Sequence, residues 1–460
     1  MGIFRSYDIR GVFPDEIDTD FARKLGLALG QHFRTLERNR DRKQLHFVVG
    51  RDMRASAEAC APALIDGLSA AGHRVTDIGM VTTPCTYFGV QHLDADAGVV
   101  CTASHNPAQY IGFKVCRELA FPMGYDAGLN QVEAIIDSAA PAGHPGPVAV
   151  VDLDEDYLEF LARLAGTLRP LPVVVDASNG MAGKYLERLF AKLPCHFEGM
   201  FLEPDGTFPN HEADPSKPEN MRALADRVRA TGAVAGFALD GDGDRLGAVD
   251  EKGEPIRGDL MAALLCGQIL AESPGRPICF DLRSSKVLED VIREGGGTPI
   301  RSRVGHSHIK KQMSEIESPF GSELSGHFYF ALDDKQRYYA DSGLVALVRM
   351  LRALSESETP LSQRIAPLCR YFHSGEINFR VEQQAEAIEA IRSEFRDGEQ
   401  SALDGISVNF PDWWFNVRSS NTEPLLRLTL EGDSAALRDA GLARVRAVIE
   451  RFGHEAQGGH

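Results

Sequence analysis

Short apolar segments alternate along most of the chain with longer segments of helical periodicity. "LHFVVGRD" (45–52) precedes a predicted helix over about 57–71, and "RVTDIGMV" and "DAGVVCTAS" follow as predicted strands. The same alternation returns twice more, in "LPVVVDASNG", a helix near 184–193 and "AVAGFALDGDGD", and then in "RPICFDLRSSK", a helix and "TPIRSRVGHS". The pattern predicts three similar α/β units in succession.

The last ninety or so residues have a different pattern. They contain the predicted strands "GEINFRVE", "ISVNF", "WWFNVRSS" and "LLRLTLEG", with one helix around 384–395 and another at the end. This order predicts an antiparallel sheet with helices on one face, which is an α+β domain. Segments rich in Pro and Gly at 141–149, 251–258 and 366–374 separate the units and place the predicted domains at 1–146, 147–254, 255–366 and 367–460.

Composition narrows the class of protein. The 460 residues are 43% hydrophobic and 25% charged, as in folded globular proteins, and the formal net charge of -17 disfavours nucleic acid as a partner. No apolar run reaches the roughly 20 residues that cross a membrane, and the amino-terminal segment lacks the apolar core of a signal peptide, so we expect a cytoplasmic protein. Eight scattered cysteines without a Cys-x-x-Cys pair predict reduced, buried thiols.

The strongest local signal is "DGDGDR", which spaces Asp240, Asp242 and Asp244 at alternate positions between apolar strands. Alternate side chains of an extended segment point the same way, and three converging carboxylates favour a hard divalent cation such as Mg2+. Arg245 occupies the position where an EF-hand requires glycine, and carboxylates between glycines would repel the pyrophosphate of a dinucleotide. A solvated acidic turn is the remaining alternative.

Two loops have the composition of phosphate-binding sites. Ser104 in "TASHNP" follows a predicted strand and suits a phosphoryl carrier. A polar turn ended by proline is the alternative interpretation of this segment. "RSSNTEP" offers a guanidinium group, hydroxyl groups and an amide in one loop, and a surface turn is again the alternative. The donors of this second loop are Arg418, Ser420, Asn421 and Thr422.

Three further segments carry polar groups that would be structural if read alone. In "GSELSGH", Glu323 and Ser325 suit neighbouring sugar hydroxyls, and His327 is either a proton carrier or a packing residue. "VGHSHIKK" and "FRSYDIRG" add cations and an aromatic hydroxyl near predicted strand ends. Their candidates are His306, Lys310, Tyr7 and Arg10.

Taken in order, "FRSYDIRG", "TASHNP…GFK", "DGDGDR", "GSELSGH" and "RSSNTEP" resemble the α-D-phosphohexomutases, specifically the phosphomannomutase/phosphoglucomutase group. The resemblance spans residues 4 to about 424 and includes one motif in or beside each predicted domain. It implies three related α/β domains with mixed sheets and a smaller α+β carboxyl-terminal domain around a central cleft.

The resemblance also implies roles at the matching positions. Ser104 resembles the family's phosphoserine, and Asp240, Asp242 and Asp244 resemble its Mg2+ ligands, with the Ser104 phosphate as a further ligand. Glu323 and Ser325 match residues that bind sugar hydroxyls. The remaining matches are active-site positions at Tyr7, Arg10, Lys114, Arg245, Arg283, His306, Lys310 and His327, and a phosphate-binding loop of Arg418, Ser420, Asn421 and Thr422.

By this resemblance the protein is an isomerase that interconverts hexose 1-phosphate and hexose 6-phosphate, with mannose or glucose as the sugar. The small phosphosugar would pass through a bound hexose 1,6-bisphosphate. A Mg2+-dependent sugar phosphatase, a phosphoglucosamine mutase and a non-catalytic phosphosugar-binding protein are the alternatives. The chain departs from the family pattern at Ile111, Arg283 and Ser322. Of these, Ile111 was expected to alter the loop near Ser104, and Arg283 to change proton handling or sugar preference.

Overall fold

The computed structural model describes residues 2–39, 41–333, 338–420 and 425–456. Contacts within the chain divide it into two compact units. Unit 1 contains Met1–Pro215, Glu219–Ile256 and Gly326–Leu361, and unit 2 contains Ser216–Pro218, Arg257–Ser325 and Ser362–His460. The third predicted domain, 255–366, thus contributes to both units, and the predicted domain boundaries stay predictions.

Unit 1 begins with a six-stranded mixed sheet. Its strands are β1 (Ile9–Val12), β2 (His46–Arg51), β3 (Arg74–Met80), β4 (Ala97–Cys101), β5 (Tyr110–Arg117) and β6 (Val148–Val150). Its helices are α1 (Thr19–Thr35), α2 (Ala55–Ala70), α3 (Thr83–His92) and α4 (Leu129–Ile135). The strand order is β1-β5-β4-β2-β3-β6; β4, β2, β3 and β6 run parallel, and β5 is antiparallel to both of its neighbours.

A second mixed sheet in unit 1 repeats this plan. The elements are α5 (Asp154–Ala165), β7 (Pro172–Asp176), α6 (Gly183–Phe190), β8 (His196–Met200), α7 (Arg222–Thr231), β9 (Ala235–Leu239), β10 (Leu246–Asp250) and β11 (Pro255–Ile256). β7 lies between β8 and β9 and is parallel to both, whereas β10 is antiparallel to β9 and β11. In both sheets, parallel strands adjoin one antiparallel strand, β5 or β10, which also pairs with the edge strand β1 or β11.

The next segment supplies elements to both units. They are α8 (Gly258–Glu272), β12 (Pro277–Asp281), α9 (Lys286–Glu294), β13 (Thr298–Ser302), α10 (His306–Ile316), β14 (Phe320–Ser322), β15 (Phe328–Asp333), β16 (Tyr338–Asp341) and α11 (Gly343–Ser355). In unit 2, β12 is parallel to β13 and β14. In unit 1, β15 and β16 form an antiparallel pair.

The rest of unit 2 is an α+β arrangement. After α12 (Leu361–Ile365) come β17 (Phe372–Val381), α13 (Gln384–Glu394), β18 (Glu399–Ser401), β19 (Ile406–Asn409), β20 (Trp413–Ser419), β21 (Leu425–Gly432), α14 (Ala435–Ile449) and β22 (Gly453–Glu455). Every neighbouring pair in this sheet for which the register is described is antiparallel. Apolar residues of β20, β21, α13 and α14 share one buried core. The predicted three α/β domains and the α+β carboxyl-terminal domain are confirmed.

Two expectations about exposure can be compared with the structure. All eight cysteines are free thiols, and seven of them are buried, but Cys369 is exposed, so the prediction of burial is wrong there. Cys369 lies in the loop between α12 and β17, at the surface. None of the helices in the described ranges is long and apolar enough to cross a bilayer.

Candidate active site

Three aspartates converge in the loop between β9 and β10. One oxygen from each of Asp240, Asp242 and Asp244 lies within 4.8 Å of the others. All three side chains are buried, with at most 1% of their surface exposed. The loop therefore concentrates negative charge where water does not screen it.

A tight turn brings these carboxylates together, and this corrects the expectation of an extended segment. Asp240 Oδ1 accepts hydrogen bonds from the backbone N–H groups of Gly243, Asp244 and Arg245 at 3.1, 3.0 and 3.1 Å. Gly243 has a φ of +78°, a conformation that side chains disfavour. The first aspartate thus folds the loop that carries the other two.

Lys114 on β5 and Thr83 on α3 donate hydrogen bonds to the aspartates. Lys114 Nζ donates to Asp242 Oδ2 at 2.7 Å and to Asp244 Oδ2 at 2.6 Å. Thr83, at the start of α3, donates from Oγ1 to Asp242 Oδ2 at 2.5 Å. Burial alone would lower the pKa of Lys114, but Asp242 and Asp244 raise it above its ordinary value, so the ammonium group stays charged.

The donor set fits a hard divalent cation. Burial, followed by the charges of Asp244 and Asp242, raises the pKa of Asp240 well above its usual range. Within the described part of the chain, Asp242 Oδ1 is buried and has no hydrogen-bond partner. A cation with oxygen ligands would accept this lone pair and relieve the repulsion among the carboxylates. The triad could therefore hold a metal ion.

Ser104 lies at this cluster. It follows β4, is 2% exposed and has a φ of +51°, in the left-handed region. Its Oγ donates to Asp240 Oδ2 at 2.8 Å and lies 3.3 Å from His105 Nδ1. A Cβ added at Gly241 would lie 2.5 Å from the Ser104 carbonyl oxygen, so only glycine permits this approach of the two loops.

Arg245 joins the segment that carries Ser104, residues 102–110 (the serine loop), to the segment that carries the aspartates, residues 240–245 (the metal loop). It donates from NH2 to His105 Nδ1 at 2.8 Å and from Nε to His327 Nε2 at 3.3 Å. Its NH1 lies 3.5 Å from Asp214 Oδ1. Burial and the nearby Arg245 charge lower the pKa of His105 well below its ordinary value, so this imidazole is neutral at neutral pH. His327 Nε2 is also 3.4 Å from Asp244 Oδ1.

Arg10 on β1 contacts the same serine loop. Its guanidinium group donates to Asn106 Oδ1 and to Asp8 Oδ2. Tyr7, which is half-buried, precedes β1 in the same unit. Unit 1 thus brings together Ser104, the three aspartates, Lys114, Arg245, His327 and Arg10.

Unit 2 contains a second buried charge cluster around Arg283. The guanidinium group donates from Nε to Asp281 Oδ2 at 2.8 Å and from NH1 to Glu376 Oε2 at 3.3 Å. Glu323 Oε1 lies 3.8 Å from Arg283 NH2 and accepts from Gly305 N at 2.7 Å. Although burial lowers it, Asp281 and Glu376 raise the pKa of Arg283 above its ordinary value. Arg283 is therefore charged at neutral pH, and its expected effect on sugar preference stays a prediction.

Three arginines share Glu376 in this cluster. Arg418 on β20 donates from NH2 to Glu376 Oε2, and Arg427 on β21 donates from NH1 to Oε1, each at 2.8 Å. Burial alone would raise the pKa of Glu376, but Arg283, Arg418 and Arg427 hold it well below its usual range. The carboxylate is therefore permanently ionised and orients guanidinium groups that suit a phosphate.

The remaining candidates in unit 2 lie on α10 and just after β14 and β20. His306 begins α10, Lys310 is buried on the same helix, and Ser325 follows β14. Ser420 is buried at the end of β20, and its backbone N–H donates to the Leu425 carbonyl oxygen at 2.8 Å. Asn421 and Thr422 lie outside the described residues.

Two departures from the family pattern have structural positions. Ile111 is fully buried on β5 in the core of the first sheet, on the face opposite Lys114. Its side chain therefore packs against the core and does not face the carboxylates. Ser322 is buried on β14, opposite Phe280 of β12, and nothing in the structure explains why serine stands there.

Sequence reasoning missed several residues that position the site. Thr83, Arg54 and Glu376 were not among the candidates. Arg54 follows the strand segment "VVGRD", and its position at the carboxyl end of a sheet strand was the one signal that could have drawn attention to it. Glu376 lies within a strand and has no motif around it.

Known protein families match nearly the whole chain. The Phosphoglucomutase/phosphomannomutase alpha/beta/alpha domains I, II and III match residues 1–142, 155–253 and 257–371. The C-terminal domain of the same description matches residues 376–448. These matches follow the order in which the α/β and α+β regions occur.

Individual relatives agree with this assignment. A protein named "Phosphohexose mutases" from Xanthomonas campestris pv. campestris is 39% identical over 443 residues, which are 94% of this chain and 96% of that protein. The Phosphomannomutase/phosphoglucomutase of Pseudomonas aeruginosa is 35% identical over 97% of this chain and 94% of its own. The crystal structure of a Phosphoglucomutase/phosphomannomutase family protein from Burkholderia thailandensis is 36% identical, with a TM-score of 0.86 over 98% of this chain and 96% of that one. The chain belongs to the phosphoglucomutase/phosphomannomutase family.

Proposed function

We propose that this protein interconverts hexose 1-phosphate and hexose 6-phosphate, with mannose or glucose as the sugar, by way of a phosphoserine at Ser104. The observation that carries the proposal is the position of the Ser104 hydroxyl. Its Oγ lies 2.8 Å from Asp240 Oδ2 in a buried cluster of three carboxylates with one lysine. A phosphoryl group on this oxygen would lie next to a metal ion held by the aspartates.

In the proposed reaction, the phosphoryl group leaves Ser104 Oγ and bonds to the free hydroxyl oxygen of the sugar phosphate. That hydroxyl gives its proton to a neighbouring side chain, and the serine oxygen takes up a proton. The product is a hexose 1,6-bisphosphate. Return of its other phosphoryl group to Ser104 regenerates the phosphoenzyme and releases the isomeric monophosphate.

The residues around Ser104 have roles that suit this transfer. Arg245 and Lys114 supply fixed positive charge where the phosphoryl oxygens would become more negative. His327 is the proposed proton carrier, because its Nε2 lies 3.4 Å from Asp244 Oδ1, beside the metal-binding carboxylates. Arg10 would position the serine loop through Asn106.

Mg2+ is the proposed metal, held by Asp240, Asp242 and Asp244 together with the phosphoryl group of Ser104. When bound, it supplies Lewis-acid stabilisation of negative charge on phosphoryl oxygens. The all-oxygen donor set is the kind that Mg2+ prefers.

The charged groups of unit 2 suit the sugar phosphate itself. Arg418 would bind the phosphate that is not transferred, with Ser420, Asn421 and Thr422 as further donors. Glu323 and Ser325 would bind sugar hydroxyls, and Tyr7, Arg283, His306 and Lys310 are proposed to contact the substrate. A small phosphosugar is the proposed partner. A cytoplasmic location is part of the proposal, because so highly charged a substrate does not cross a membrane unaided.

A coupled assay tests the proposal directly. Purified protein is given glucose 1-phosphate or mannose 1-phosphate in separate reactions, with the matching 1,6-bisphosphate as primer and with Mg2+. The proposal expects the 6-phosphate as product and a ratio of the two rates that reports the sugar preference. Free phosphate without 6-phosphate would instead indicate a sugar phosphatase, and no product from either sugar would contradict turnover. Glucosamine 1-phosphate as the preferred substrate would move the protein to another mutase class.

The role of Ser104 needs its own variant. Ser104→Ala removes the acceptor oxygen, so we expect no labelled phosphate on the peptide that contains residue 104 and loss of mutase activity. Ser138→Ala is the matched control, because this exposed serine donates only to the Ile135 carbonyl oxygen. Full activity in Ser104→Ala would refute the assigned role.

A further inference from the structure

The serine loop is held by a buried arginine that lies outside all of the proposed substrate contacts. Arg54 immediately precedes α2 and is 1% exposed, one of the largest side chains to be so completely buried. A guanidinium group has five N–H donors. All five of them are used in hydrogen bonds in this structure.

Four of these bonds go to carbonyl oxygens of the serine loop. Arg54 NH2 donates to the carbonyl oxygens of Ser104 at 2.7 Å and Asn106 at 2.5 Å. Its NH1 donates to the carbonyl oxygens of Pro107 at 2.8 Å and Tyr110 at 3.2 Å. One side chain thus fixes four points of backbone within seven residues, beginning at Ser104 itself.

Other groups hold Arg54 in place. Its Nε donates to Asp52 Oδ2 at 3.2 Å, and its backbone N–H donates to Asp52 Oδ1 at 2.9 Å. The ring of Phe208 lies 5.2 Å from the guanidinium carbon, and a Cβ at Gly206 would come within 2.8 Å of Arg54 Cα. The guanidinium group is therefore enclosed and cannot swing away from the loop.

This arrangement matters because the backbone of Ser104 is strained. Its φ of +51° is one that a non-glycine residue holds only when the surrounding structure imposes it. The strained conformation directs Oγ towards Asp240 Oδ2. The carbonyl oxygen of this same residue accepts from Arg54, so the constraint acts at the residue that carries the strain.

We propose that Arg54 is a positioning residue for phosphoryl transfer, which fixes the serine loop so that Ser104 Oγ faces the metal-binding carboxylates. This inference rests on the proposed function. Lysine could not replace it, because three donors on a single nitrogen cannot reach carbonyl oxygens that arginine meets with two separate nitrogens. The position therefore requires arginine and not only a positive charge.

Arg54→Lys tests the inference, since it keeps the charge opposite Asp52 and removes the fork. We expect kcat to fall by about 100-fold, as for a misplacement of about 1 Å at a reacting group. KM should change by less than about threefold, since the groups proposed to bind the sugar phosphate are untouched. Because unfolded enzyme would also lower the apparent kcat at constant KM, kcat is expressed per folded enzyme, with the folded fraction measured by circular dichroism.

Arg169→Lys is the matched control. Arg169 also caps backbone carbonyl oxygens, those of Leu354, Ser355 and Ser357, but it does not contact the serine loop. Its substitution should leave kcat and KM close to those of the wild type. Equal losses in the two variants, or wild-type kcat in Arg54→Lys, would overturn the proposal.

Amide hydrogen exchange gives a readout that does not depend on turnover. We expect faster exchange over residues 103–110 in Arg54→Lys than in the wild type, with no such change in Arg169→Lys. If wild-type protein shows no mutase activity, the proposed function fails, but the exchange result still tests whether Arg54 fixes the serine loop. Unchanged exchange over 103–110 would refute it. If Arg54→Lys fails to fold, Asp52→Asn replaces it, because this change removes the charge that holds Arg54. We expect it to raise amide exchange over the same residues, and unchanged exchange there would count equally against the proposal.

Discussion

Removal of the Lys114 ammonium group should expose how strongly the three aspartates repel one another. Lys114→Met keeps most of the aliphatic chain but removes the donor that lies 2.7 Å from Asp242 Oδ2 and 2.6 Å from Asp244 Oδ2. Lys114 is 8% exposed and the two aspartates at most 1%. The substitution therefore leaves buried carboxylates without their nearest cation.

The magnitude follows from this burial. Removing one partner of a buried ion pair costs about 3–5 kcal/mol, because the other charge remains desolvated. Burial and its neighbours raise the pKa of Asp240, so proton uptake there would relieve part of the cost in the variant. We therefore expect Lys114→Met to lose about 3 kcal/mol of unfolding free energy without metal at neutral pH, near the lower limit.

Urea unfolding in EDTA and in Mg2+ measures this effect. Both proteins receive the same Mg2+ concentration, 100 times the wild-type dissociation constant, at which binding stabilises the folded wild type by about 2.7 kcal/mol. The variant should gain more, because no lysine competes with the metal for its carboxylates. Lys24→Met is the control, since its i,i+4 pair with Asp20 at 3.0 Å is exposed to solvent and should contribute far less than the buried pairs of Lys114. A loss below about 1 kcal/mol in Lys114→Met, or equal gains with Mg2+, would refute the reasoning.

Three further predictions concern other charged groups. The pKa of Glu376 is held low, so the wild type should lose stability as the pH falls below about the ordinary value of 4.5, and Glu376→Gln should lack this slope in urea unfolding. Burial alone would lower the pKa of His211, but the opposing effect of Asp176 leaves it above its ordinary value of 6.5. The resulting stabilisation is present below pH 6.5 and is lost as the pH rises through the raised pKa, and His211→Gln should remove that loss. Asp242→Asn removes a proposed metal ligand. Substitution of residues that only orient such ligands lowers metal affinity by about 10–100-fold, so Asp242→Asn should weaken Mg2+ activation by more than that, as measured by Mg2+ titration of activity.

Exposed residues provide the controls for these three changes. Glu389→Gln alters a pair with Arg392 whose side chains are 67% and 39% exposed, and it should leave the acid slope intact. His454→Gln changes an exposed histidine and should retain the loss with rising pH. Asp226→Asn should leave Mg2+ activation unchanged. A control that behaves like its partner variant would show that the effect is not specific to the buried site.

The sequence predicted the order of elements and the loops that carry chemistry, because both leave local patterns. Alternating apolar segments indicated the α/β units, and the motif around Asp240 indicated the carboxylate cluster. The physical reason given for that cluster was nevertheless incorrect. A strand would have placed alternate side chains on one face, whereas the backbone N–H groups of Gly243 and Arg245 donate to Asp240 Oδ1 and curl the loop. Side-chain acceptance of backbone donors in a turn leaves no periodic signal.

Residues that position the site could not be predicted because their partners are distant in sequence. Glu376 lies 93 residues from Arg283, 42 from Arg418 and 51 from Arg427. Arg54 lies 50 residues from Ser104. Each residue alone is an ordinary charged residue near a strand, and only the folded chain shows that it is buried and which groups it holds.

These pairings explain how an acidic chain prepares one region for a cation and another for an anion. In unit 1, three aspartates lie together and one lysine pairs with two of them, so the local excess is negative. In unit 2, Arg418 and Arg427 share Glu376 with Arg283, and Arg283 is held by Asp281 as well, so Arg418 and Arg427 are the groups that remain for an anion. The overall charge of -17 indicates neither excess. Because buried charges act at short range and are little screened, the sign available to a ligand is decided by these few contacts and not by composition.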